Sequence, residues 1–221
     1  MLFFIHIPKA AGTSLRMALE KTLQDRLVVI YEDHPGETTA DALARDLPED
    51  AVVYGHFGFG LHEKFGAAAN YATVLRHPVA RVTSWYNFQA QDPNLPYSAA
   101  ARKFSLPELL RQESTEEISN HMTKIIAGRD VRNLNDRGTL EMAKANLRTF
   151  DFISVQERLS EDMEKLRGLL NVSLIRPKKI NVGRSRQPTQ GELEDVVKYN
   201  MLDLELYYYA MDLREEMAVP E

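Results

Sequence analysis

The feature that most constrains the fold is the stretch of residues 2–16, LFFIHIPKAAGTSLR. Leu2 to Ile7 form a short apolar run with the length and the β-branched and aromatic content of a buried strand. Pro8 ends the run, because proline has no N–H to give to a sheet ladder. Small residues follow, then Thr13 and Ser14, and Leu15, Ala18, Leu19 and Leu23 recur on one helical face. The stretch therefore predicts strand, tight loop, helix. Such a loop gathers backbone N–H groups and a helix N-terminus at one point, where an anion can sit. Lys9 adds a positive charge, and Thr13 and Ser14 add hydroxyl donors. An ordinary strand-to-helix connection with an exposed lysine is the alternative reading of the same residues.

The rest of the chain repeats the strand–helix alternation. Residues 27–31, 51–54, 71–75 and 152–155 read as further short buried strands. Alternation of this kind predicts parallel βαβ units, hence an α/β domain in three layers with a central parallel sheet flanked by helices. In open parallel sheets, ligands bind beyond the carboxyl ends of the strands. Lys9, His56 and Arg76 each follow such an end and are expected to converge on one crevice.

Between these strands the pattern is helical. A weak helix is expected over residues 39–47, before Pro48, and a mostly helical insertion over residues 93–138. Within it, Ser105 and Glu108 have capping-box spacing. A helix over residues 116–127 is ended by Gly128, and residues 130–138 read as a polar loop. Helices are expected over residues 139–149 and from Ser160 to about residue 170. Residues 177–188 form a basic loop with Lys178, Lys179, Arg184 and Arg186. Thr189 and Glu192 make a second capping box, opening a helix with Leu193, Val196, Val197, Met201, Leu204 and Tyr208 at helical spacing. No repeat or linker interrupts the pattern, so residues 1–221 read as a single domain.

Composition narrows the function classes. Hydrophobic residues are 44% of the chain, enough for a core of normal size. Cysteine is absent, which removes disulfides and Cys-based metal sites and suits a reducing compartment. The net charge of −5 argues against broad binding of nucleic acid or anionic membranes, while leaving room for a local basic pocket. No apolar run approaches membrane-spanning length. No basic segment precedes an apolar one at the start, so a signal peptide is not expected. A cytoplasmic protein is the expectation.

A second motif lies at residues 74–86, VLRHPVARVTSWY. It again reads strand, turn, helix, with Pro78 in the first helical turn. Arg76 stands at the strand end, and Ser84 lies two turns into the helix near the face of Arg81. A guanidinium can hold a phosphate bidentately and a hydroxyl can take a further oxygen. A surface arginine paired with a carboxylate is the plainer alternative.

The first loop is not a Walker A motif, in which the lysine directly follows the second glycine. Its order, Pro8-Lys9-x-x-Gly12-Thr13-Ser14-Leu15, resembles the 5′-phosphosulfate loop of sulfotransferases that use 3′-phosphoadenylyl sulfate (PAPS). The second motif resembles that family's 3′-phosphate motif, an arginine with a serine eight residues on, with His77 in place of the usual aspartate. Gly55-His56 after the third strand is similar to the Gly-His of the heparan and dermatan sulfate 2-O-sulfotransferase branch and its bacterial relatives. Residues 118–123 and 152–159 also look like segments of that branch. The resemblance implies a single domain akin to nucleotide kinases. It also implies PAPS as cofactor, with 3′,5′-adenosine bisphosphate as product, and an acceptor hydroxyl on a glycan or glycolipid.

Carried over residue by residue, the resemblance makes Lys9 and His56 catalytic, with His56 as base. Lys9, Ala11, Gly12, Thr13, Ser14, Arg76 and Ser84 bind the nucleotide. Arg184 and Arg186, in the loop where the resemblance is weakest, close over the nucleotide, meet an anionic acceptor, or belong to a solvated basic loop. No metal is required. His6 reads as structural within its strand, His77 as facing away from the acceptor, and His62 and His121 as weaker candidates. Two other readings stay open. A nucleotide or small-molecule kinase with a divergent phosphate loop would need an acidic Mg²⁺ ligand at a strand end, and no strand here ends in an Asp with apolar residues before it. A sulfotransferase-like scaffold without chemistry would keep the binding residues alone.

Overall fold

The structure is a computed structural model that describes residues 1–31, 38–112, 116–128, 135–173 and 188–217. Five strands form one sheet: β1 (Leu2–His6), β2 (Leu27–Ile30), β3 (Val52–Gly55), β4 (Tyr71–Leu75) and β5 (Phe152–Val155). Their spatial order is β2-β3-β1-β4-β5, and every neighbouring pair is parallel. The first strand is thus central, and the loop that follows it opens at the middle of the sheet's carboxyl edge.

Period-two alternation divides the core into two layers. Phe3, Ile5 and Ile7 point to one face and Leu2 and Phe4 to the other. The second face is covered by α1 (Gly12–Leu23), through Leu15, Leu19 and Leu23, and by a late helix through Met163, Leu166 and Leu170. Short helices α2 (Thr39–Leu43) and α3 (Leu61–Lys64) contribute Ala42 and Leu61 to the first face.

After β4 come α4 (Pro78–Gln91), α5 (Ser98–Lys103), α6 (Leu106–Arg111), α7 (His121–Ala127) and α8 (Asp136–Leu147). They are the helical insertion. Val82, Trp85, Ala101, Leu106, Leu109 and Leu110 form a separate satellite core with Val196. Beyond β5 lie α9 (Leu159–Leu170), α10 (Gln190–Tyr199) and α11 (Met201–Glu216). Among the described residues, no helix is long and apolar enough to cross a membrane.

All five expected strands form, and both capping boxes close, at Ser105–Glu108 and Thr189–Glu192. Helix boundaries differ in four places. The helix expected over residues 39–47 stops at Leu43, well ahead of Pro48. That expected over residues 116–127 is split by Asn120 at φ 47°, whose side-chain oxygen accepts from Leu202 N at 3.0 Å. The last helix is likewise broken at Asn200, which donates to the Ile118 carbonyl at 2.9 Å. These two asparagines bind the segments to each other, so each breaks its own helix.

Part of the expected loop at residues 130–138 is helix. The Asn135 side chain accepts from Gly138 N at 2.8 Å, which starts α8 at Asp136. The helix expected from Ser160 forms as α9, starting at Leu159. Its first-turn Asp162 is buried, taking Ser154 Oγ and Arg214 Nε at 2.6 Å each.

Candidate active site

The loop between β1 and α1 is the centre of the site. Ala10 N bonds the Ile7 carbonyl at 3.1 Å, closing a tight turn behind Pro8. Lys9 and Ala11 both adopt positive φ, 69° and 61°. Left-handed backbone costs an L-residue about 1–2 kcal/mol, and such strain concentrates at ligand-binding loops. Ala11 is the N-cap of α1 and has no side chain that can cap it. The first-turn amides, beginning with Gly12 and Thr13, have no acceptor within the helix and open onto the loop.

Arg76 joins the loop from the neighbouring strand. It is the first residue past β4, and its Nη1 donates to the Lys9 carbonyl at 2.8 Å. Burial lowers the Lys9 pKa to about 8, with the Arg76 charge adding to the effect. Burial also lowers Arg76, against the opposing pull of Glu157. Glu157, just past β5, accepts from His77 N and from Tyr207 OH, at 3.2 Å each. The His77 ring packs on Tyr207 of α11, with centroids 5.3 Å apart.

Helix α4 crosses the loop. Lys9 Nζ sits 3.6 Å from the centroid of the Phe88 ring. Phe88 is one turn beyond Ser84, so the face of α4 that reaches Lys9 also carries Ser84. The two sequence motifs therefore meet through Arg76 on the backbone side of Lys9 and through the Phe88–Ser84 face on its ammonium side.

The opposite wall is aromatic and imidazole-rich. His56 follows β3, and its amide bonds the Ile30 carbonyl at 3.1 Å. This close approach of β2 to β3 needs Gly55, where a Cβ would lie 1.8 Å from the same carbonyl oxygen. The His56 ring packs against His6 at 4.7 Å and edge-to-face against Tyr31 at 4.5 Å. His6 is thus not confined to the interior of its strand. Its Nδ1 meets Tyr31 OH at 2.8 Å, and its ring stacks on Tyr54 at 5.2 Å. Tyr54 OH in turn donates to the Gly12 carbonyl at 3.0 Å.

Lys9, Ala11, Gly12, Thr13 and Ser14 make up the loop and the first turn of α1, Arg76 bonds the loop, His56 packs on His6 past β3, and Ser84 lies on the face of α4 that carries Phe88. Arg184, and with it residues 178–186 of the basic loop, lies outside the described residues. His62 is engaged elsewhere, with Nδ1 3.0 Å from Tyr71 OH. His121 is half-buried at the start of α7, and desolvation holds its pKa well below the usual value, with Arg81 and His56 adding to this. Sequence reasoning missed Tyr31, Tyr54 and Phe88. The first two lie at or near the ends of strands, and Phe88 is one helical turn from Ser84, so position alone could have found them.

No protein-family model and no curated protein matches the chain. Among solved structures, the chain is similar to mouse sulfotransferase SULT7A1 complexed with PAP, at 11% identity and a TM-score of 0.47. That alignment covers 92% of this chain, which spans 65% of the mouse chain. A sulfotransferase from Alicyclobacillus acidocaldarius aligns at 13% identity and a TM-score of 0.47, covering 97% of this chain and 95% of that one.

Proposed function

We propose that the chain is a PAPS-dependent sulfotransferase that moves a sulfuryl group to an acceptor hydroxyl on a carbohydrate. The observation that carries this reading is the bond from Arg76 Nη1 to the Lys9 carbonyl, 2.8 Å long. It joins the two sequence motifs that resemble the two halves of a PAPS site. The residues present fit such a nucleotide. Lys9 and Arg76 are part-buried cations that repel each other, and among the described residues neither forms a salt bridge. The turn of α1 beside them has no side-chain cap. A polyanion would neutralise both cations and cap the helix.

PAPS, when bound, supplies the sulfuryl group. Lys9 and the amides of residues 11–14 would hold its 5′-phosphosulfate, with the Thr13 and Ser14 hydroxyls. Arg76 and Ser84 would hold the 3′-phosphate and so select against ATP. Lys9 keeps positive charge where negative charge grows on the leaving side, as in phosphoryl transfer. His56 takes the proton of the acceptor hydroxyl, since a neutral imidazole carries one nitrogen that can accept it. The carbohydrate acceptor rests on the likeness of Gly55-His56 to the glycan 2-O-sulfotransferase branch.

The deciding experiment is calorimetric binding of 3′,5′-adenosine bisphosphate, compared with ATP plus Mg²⁺, on wild type and Arg76→Ala. The expected result is micromolar binding of the bisphosphate, lost in Arg76→Ala, with weak ATP binding. Tight Mg²⁺-dependent ATP binding without preference for a 3′-phosphate would replace this reading with a kinase.

A further inference from the structure

We propose that His6 is a further ligand-binding residue of this site, its Nε2–H donating a hydrogen bond to the anionic group held at the N-terminus of α1. The proposal deepens the nucleotide reading and rests on it only for the identity of the anion.

The argument starts with Gly12, the first residue of α1. A Cβ built there would lie 1.5 Å from His6 Nε2, 2.1 Å from Cε1 and 2.3 Å from Cδ2. Those three distances put the Cβ above the ring face at Nε2, not in line with its N–H direction. The backbone of the anion loop therefore lies on the imidazole at Nε2 and leaves the in-plane direction of that nitrogen unblocked by Gly12. Among the described residues, the hydrogen bond shown for the ring is the 2.8 Å contact of Nδ1 with Tyr31 OH.

That contact sets the tautomer. Arg16 hydrogen-bonds Tyr31, and a guanidinium can only donate, so it occupies a lone pair of the phenol oxygen. Burial raises the Tyr31 pKa to about 12, so the phenol keeps its proton. Tyr54 hydrogen-bonds Tyr31 as well, as the donor of that pair, beside its contact with the Gly12 carbonyl, so Tyr31 accepts from both neighbours. The Tyr31 proton then goes to His6 Nδ1, which leaves the ring hydrogen on Nε2, next to the loop.

The surroundings keep this ring a neutral donor. His56, Arg16 and Lys9 face it as positive or protonatable groups, with Tyr31 and Tyr54 as phenols. Burial, followed by those cations, holds the His6 pKa well below 6.5. An uncharged donor suits a site where Lys9 and Arg76 already supply the charge. It adds a directed hydrogen bond without a third repelling cation.

The test is ¹⁵N NMR of the His6 ring in the wild-type chain, alone and titrated with 3′,5′-adenosine bisphosphate or with inorganic phosphate. The expected result is an Nε2–H tautomer in the free protein and a change at His6 Nε2 as either ligand binds. His6→Phe, which keeps the stack on Tyr54, should weaken bisphosphate binding on the order of tenfold to a hundredfold. Tyr31→Phe should weaken it less while releasing the tautomer. An Nδ1–H tautomer in the free chain would overturn the proposal. So would bisphosphate binding that leaves His6 Nε2 unmoved, with the nucleotide reading intact. Movement with phosphate but no binding of bisphosphate would support the donor and sink the nucleotide reading. Failure of both ligands to bind would overturn both.

Discussion

Replacing Gly12 by alanine is a sharp test of how this site is built. Gly12 sits in α1 without positive φ, so its backbone alone would accept any side chain. Space is what forbids one, because the new methyl would fall 1.5 Å from His6 Nε2. The imidazole must leave. It would give up the hydrogen bond to Tyr31, about 1 kcal/mol, and the stack on Tyr54, about 1 kcal/mol. Overpacking strain of about 1 kcal/mol is added to that. Alanine's better helix propensity returns at most about 1 kcal/mol. The net expectation is a loss of about 2 kcal/mol, a fall in Tm of roughly 4–8 °C for a chain of this size. Thermal unfolding measures it, and a double-mutant cycle isolates the cause. In a His6→Ala background the space exists, so Gly12→Ala should be neutral or slightly stabilising, with a coupling of about 1–3 kcal/mol. Equal effects of Gly12→Ala in the two backgrounds would refute the steric argument.

Three other outcomes follow from the same geometry. The folded Lys9 pKa of about 8 lies below its ordinary 10.5, so between those values unfolding takes up a proton and stability rises with pH; Lys9→Met should abolish that rise in urea titrations. Anion affinity should show the opposite trend, with bisphosphate binding weakening as pH climbs through about 8 in wild type but not in Lys9→Met. Asp203 is buried, accepts from Met122 N, Thr123 N and Thr123 Oγ1, and stands 4.0 Å from the buried Arg81. Asp203→Asn should cost about 3 kcal/mol by urea unfolding, since it removes the nearer of the two carboxylates that offset that guanidinium and leaves Glu117, whose carbonyl accepts from Arg81 Nη2 at 2.8 Å; a loss below about 1 kcal/mol would show that Glu117 alone offsets the charge. Finally, His56→Ala should abolish sulfuryl transfer while leaving bisphosphate affinity nearly intact, and full turnover in that variant would remove His56 from the mechanism.

The elements whose stability is local were legible in the chain. The strands over residues 71–75 and 152–155 are short apolar runs that only a sheet buried on both faces accommodates, and they form as read. The capping boxes at Ser105 and Thr189 close within four residues, so no distant contact can move them. Helix ends set by partners far along the chain were not legible. Asn120 and Asn200 break their own helices through bonds to each other's segments, some eighty residues apart in sequence.

The same division runs through the site. By itself the sequence determined the β1–α1 loop with Lys9, the arginine–serine spacing of Arg76 and Ser84, and the presence of His56 past a strand end. Each is a pattern within a few consecutive residues. Only the tertiary structure decided that β1 is central, that Arg76 holds the Lys9 carbonyl, and that His6 lies against Gly12 beside Tyr31 and His56. The physical reason is strand order. Parallel pairing with β3 on one side and β4 on the other sets side by side three loops that chain separation keeps apart, and the sequence carries no local signal for which strands will be neighbours.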